Sequence, residues 1–145
     1  MRHIDGEEKL SAIFGAWPSF HDAEVLSLCY ERTARSFDVT TVIHVFEMTS
    51  EVDQRGHYKI VKHTRVTLRC EDATDVQLEG FNGQNVLSSL SIVEEGLNSE
   101  RTYVVTFGGC FGIEGFLRCQ RVVVVDAIPW TPKHSVYAEE PNQLE

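Results

Sequence analysis

The chain has 145 residues, 42% of them hydrophobic and 24% charged, with a formal net charge of −9. That composition is ordinary for a single globular domain, long enough to bury roughly 70% of its unfolded surface. The acidic balance argues against nucleic acid as a direct ligand, because phosphates need a basic face, and no apolar run approaches the ~20 residues that cross a bilayer.

The opening MRHIDGEEKL has no apolar core of a signal peptide, and the four cysteines, Cys29, Cys70, Cys110 and Cys119, form no CxxC pair. Zinc clusters and redox motifs are therefore disfavoured, and reduced thiols in the cytoplasm are the expectation. Leu10, Ile13, Phe14 and Trp17 fall on one helical stripe, which predicts a helix from about Gly6 to Ala16. Glu7 and Glu8 suit the positive end of its dipole. Pro18 biases Trp17 away from helical dihedrals, so the helix is expected to stop there.

The period then changes to two. Segments 23–33, 37–49, 57–71, 74–80, 89–95, 101–108 and 115–128 are rich in Val, Ile, Thr, Phe and Tyr and read as strands. Short polar breaks between most of them predict antiparallel neighbours. The expected fold is α+β, an N-terminal helix packed on a mainly antiparallel, meander-like sheet of about six to seven strands. One domain over 1–130 and an extended or disordered tail over 131–145 complete the expectation.

Two strands carry more than a core face. Segment 57–71 sets His57, Lys59, His63, Arg65 and Arg69 in a basic row, most simply paired with acidic neighbours or solvated. Segment 37–49 is apolar on both faces, with Val39, Ile43 and Val45 opposed by Val42, Phe46 and Met48. A strand of that kind is covered on both sides, or presents its second face to a ligand or partner.

Chemistry is sought first in WPSFHDAEV, residues 17–25. Asp22 and Glu24 lie two positions apart on a strand, ~6.6 Å along it, and could share a metal or divide acid and base roles with His21. No third ligand follows at a diagnostic spacing, so neither a metal site nor a catalytic residue is assigned, and no cofactor is expected. The structural reading makes Trp17, Pro18, Phe20, His21 and Asp22 a corner. The aromatics anchor it in the core, Pro18 fixes its exit from the helix, and His21 and Asp22 satisfy turn amides. The run GGCFGIEG, with Gly108, Gly109, Gly112 and Gly115, precedes a strand and not a helix, so it reads as a wide hairpin and not as a phosphate cradle.

Phe14 with Trp17–Val25, then IHVFEMT (43–49), KHT (62–64) and LEGFNGQNVL (78–87), together resemble the immunity protein 50 family. The resemblance runs from about residue 10 to 128. It implies a non-enzymatic protein that binds a cognate bacterial toxin, as expected of immunity proteins from polymorphic toxin loci. A basic nuclease toxin would meet the acidic surface, with Asp22, Glu24, Glu51, Asp53, Glu94 and Glu95 as contacts. Two alternatives stand beside it: a small metal-dependent enzyme built on the His21-Asp22-x-Glu24 corner, and a small-ligand-binding domain. Neither nucleic acid nor membrane is an expected partner, and a homodimer through unpaired strand edges is the default for long strands.

Overall fold

The structure is a computed structural model, and it describes residues 3–96 and 102–131. Among them, nine strands form one sheet. They are β1 (Ile4–Asp5), β2 (Glu24–Arg32), β3 (Phe37–Val52), β4 (Tyr58–Glu71), β5 (Thr74–Glu79), β6 (Val86–Glu95), β7 (Thr102–Phe111), β8 (Glu114–Cys119) and β9 (Arg121–Pro129), with one helix, α1 (Glu8–Phe14). The order across the sheet is β1-β9-β4-β3-β2-β6-β7-β8-β5. Every pairing is antiparallel except β1 with β9. The expected tail over 131–145 falls, from residue 132 onward, outside the described residues.

This corrects the α+β expectation. The protein is mostly β, and its single helix has only seven residues and buries one side chain fully, Leu10. Gly15 stops the helix, not Pro18: it takes a left-handed φ of 87° and its N–H donates to the Ser11 carbonyl at 2.8 Å. A helix that short cannot cover a sheet, so the sheet covers itself.

The self-covering is achieved at a corner. Segment 115–128 is two strands, not one: β8 pairs with β7 and β5, while β9 pairs with β4 and β1. The preceding β4–β5 segment makes the same change of partners, with Asp72 and Asp75 in positive-φ conformations at 54° and 49°. Pairing continues around the bend, where the Gln120 N–H donates to the Glu71 carbonyl at 2.9 Å. Strands that switch layers through such bends let one sheet supply both faces of its own core. Val39, Ile43, Val66, Leu68 and Val122 from one half then bury with Leu87, Val105, Phe107 and Leu117 from the other. On the inside of the bend, Cys70 and Cys119 are buried and hydrogen-bonded through their side chains. That contact, with burial, holds the Cys70 thiol well above its usual range and so protonated.

On the other side the two halves meet through a single β2–β6 bridge, Glu24 with Val86. Asn85 reinforces this narrow seam. Its Oδ1 accepts from the Asn82 N–H at 2.9 Å and the Ile113 N–H at 3.1 Å, and its Nδ2 donates to the carbonyls of Asn82 at 2.7 Å and Val25 at 3.3 Å. Val86 and Leu87, directly after Asn85, open β6. Gly112 (φ 76°) lies in the tight β7–β8 connection, where a Cβ would collide with the Asn85 Oδ1. The glycine run is thus a close-packed hairpin whose conformation the neighbouring Asn85 requires.

Candidate functional site

The WPSFHDAEV corner leads into β2, the strand that lies between β3 and β6. Phe20 is buried, and its ring lies 5.6 Å from that of Trp17, which is only half-buried. The Ser19 Oγ accepts the His21 N–H at 3.1 Å, and the Ala23 N–H closes the turn on the Phe20 carbonyl at 3.0 Å. Asp22 has φ 69°, a left-handed conformation that aspartate tolerates better than most residues. Its N–H donates to the Leu87 carbonyl at 2.8 Å, and the Leu87 N–H answers to the Ala23 carbonyl at 2.9 Å. The backbone therefore clips the corner to β6. The His21 Nδ1 stands 3.2 Å from the Asp22 Oδ2, with the His21 side chain 66% exposed.

Between this corner and β3 runs an open groove of about 420 Å³, lined by Phe14, Trp17, Pro18, Ser19, His21, Phe46, Glu47 and Met48. Phe46 and Met48 belong to the apolar second face of β3, so that face is partly covered by the corner and partly open. Met48 is 49% exposed. The groove combines an aromatic wall with a carboxylate at its rim, Glu47, which pairs with the Lys62 Nζ at 3.0 Å.

The expected acidic contacts lie in three separate places. Asp22 and Glu24 stand at the start of β2, and Glu24 is buried opposite His44 and Val86. Glu51 and Asp53 share the end of the β3–β4 hairpin. Glu51 is exposed, while the Asp53 Oδ1 accepts the Arg55 and His57 N–H groups at 2.9 Å each. The His57 hydrogen bond leads the causes that lower the Asp53 pKa. Glu94 and Glu95 close β6, and Glu95 pairs with Arg118 at 3.3 Å, which also reaches Asp75. Among the described residues, no three His, Cys, Asp or Glu side chains gather into a metal-holding group. The basic row is partly paired, as Arg69 with Glu71 at 2.9 Å.

One cluster escapes the sequence reading altogether. The His44 Nε2 lies 2.9 Å from the His63 Nδ1, and the rings stack with centroids 5.1 Å apart. Phe46 and Trp130 close around His44 at 5.4 and 5.5 Å. His44 is fully buried, and burial together with the neighbouring His63 lowers its pKa from 6.5 to about 4. A histidine between Ile43 and Val45 was a signal of burial, but its partner lies 19 positions away and only strand register pairs them.

The lowered pKa has a consequence for stability. The unfolded chain takes up this proton near pH 6.5 and the folded chain only near 4, so acid favours unfolding. The His44 contribution is complete above about pH 6.5 and is expected to fall by on the order of 2–3 kcal/mol as pH drops towards 4. Urea midpoints measured across that range should slope less in His44→Gln than in the parent; equal slopes would refute the assignment.

Fold and site together define a β protein with a rigid corner and an open, aromatic-walled groove. The immunity protein 50 family model matches residues 6–129, and the chain belongs to that family. Comparison with curated proteins and with solved structures found no match. Among the described residues, no helix is long and apolar enough to cross a membrane.

Proposed function

We propose that this chain is a non-enzymatic immunity protein that binds a cognate protein toxin and blocks it by occlusion. Membership of the family across residues 6–129 is the observation that carries the reading. The architecture supports it: a self-covered sheet is a stiff scaffold, and a stiff surface binds without an ordering cost. The net charge of −9 favours a basic toxin surface, as a nuclease carries, by speeding encounter and setting orientation. Asp22, Glu51, Asp53, Glu94 and Glu95 are the proposed acidic contacts, since each presents at least part of its side chain to solvent, whereas Glu24 does not.

The test is co-expression with the product of the adjacent gene, first expressed alone to establish that it arrests growth. Rescue of growth, with a stable one-to-one complex on size exclusion, is the expected result. A toxic neighbour that still kills in the presence of the folded protein, and forms no complex with it, would overturn the reading.

A further inference from the structure

The register shows a two-stranded arm beyond the body of the sheet. β2 pairs with β3 only from Phe37 to His44, and β9 pairs with β4 only from Thr64 to Glu71. Past those limits, Glu47, Met48 and Val52 of β3 pair across only with Val61, Ile60 and Tyr58 of β4. From Glu47 to Val52, β3 thus has β4 on one side, with a register shift between Met48 and Val52, and no strand neighbour among the described residues on the other. Backbone groups on such an edge are a template for another strand.

What lies along the arm says what kind of strand fits. Met48, Val52 and Tyr58 are 49%, 59% and 60% exposed, and Met48 also lines the groove that Trp17 walls. The β3 side carries the carboxylates of Glu47, Glu51 and Asp53 in or just beyond the strand, whereas the β4 side carries Lys59 and Lys62. A second copy of this chain is a poor occupant, because a two-fold pairing of β3 with its own copy brings these carboxylates near their equivalents. A basic strand meets no such repulsion. The same charges that keep copies apart admit a partner of opposite sign.

We infer that the partner docks by adding a basic, extended segment to the open edge of β3 from Glu47 to Val52. One apolar side chain sits in the groove against Trp17 and Met48, and lysine or arginine side chains lie beside Glu51 and Asp53. This rests on the toxin-binding reading and names the surface that reading would use.

The probe is the growth-arresting product of the adjacent gene used in the co-expression test, purified in an inactivated form. Its affinity is measured by calorimetry for the parent, Trp17→Ala, Glu51→Lys and Glu31→Lys, with amide hydrogen exchange of the parent free and bound. Glu31, exposed on β2, reports any general effect of charge reversal. Trp17→Ala and Glu51→Lys are expected to weaken binding by about tenfold or more, with Glu31→Lys changing it by less than about twofold. Amides 47–52 should gain protection in the complex. Parent-level binding by both Trp17→Ala and Glu51→Lys, with protection elsewhere, overturns this docking mode and leaves the toxin-binding reading intact. A concentration-dependent dimer of the parent in which amides 47–52 are protected assigns the edge to a second copy and overturns the proposal. No binding by the parent overturns both.

Discussion

Asn85→Ala is expected to destabilise the protein by about 3–5 kcal/mol. The side chain is 2% exposed, and both polar atoms of its amide are spent on backbone groups of three segments, at Asn82, Ile113 and Val25. Alanine leaves the buried Ile113 N–H without its acceptor, at about 1–3 kcal/mol, strips the part-buried Asn82 N–H at a smaller cost, and releases the Val25 carbonyl as well. The location amplifies the effect, because a single bridged pair joins β2 to β6 at this seam. Urea denaturation gives the value directly. A loss under about 1 kcal/mol would mean that the seam holds without this amide, and that the Gly80–Asn85 turn has some other anchor.

Phe20→Ala comes next, at about 3–5 kcal/mol through the cavity left by a ring only 3% exposed. Trp17→Ala should cost roughly half that or less, since much of the indole faces the groove and already meets water. The two rings touch, so the contrast is a sharp one. Equal losses by thermal and chemical denaturation would show that Trp17 is a core residue and that the groove is narrower than described.

The long strands were legible because burial of one face writes itself as alternation. Val39, Thr41, Ile43 and Val45 are buried in turn, and Thr64, Val66, Leu68 and Cys70 answer them on β4. The corner at WPSFHDAEV was legible only in part, because Phe20 is buried there while Gly15 and not Pro18 ends the helix and Trp17 is half-buried. The class was misread where alternation slips by one. In 115–128 the buried residues run Leu117, Cys119, then Val122 and Val124, with Gln120 and Arg121 both exposed between them. That change of phase is the bend at which β8 becomes β9, and overlooking it hides the closure of the sheet. With closure hidden, the amphipathic stripe beginning at Leu10 was assigned the covering role that the sheet's other half fills. At the site, the second-face residues Phe46 and Met48 pointed to the groove wall. The His44–His63 contact depends on register through a bulge near Lys62 (φ 59°), which no local pattern encodes.

The one parallel pairing has a bearing on how the protein comes into being. Ile4 and Asp5 find their neighbours in Val122 and Val123, so the first strand made is among the last to be placed. During synthesis the Leu10 side chain, fully buried in the finished fold, stays without its cover until β9 has left the ribosome. Contacts closing over more than a hundred residues form slowly, and the open segment is exposed to association meanwhile. The synthesis of β9, and not that of the strands before it, should therefore set the moment at which a newly made copy becomes competent to bind.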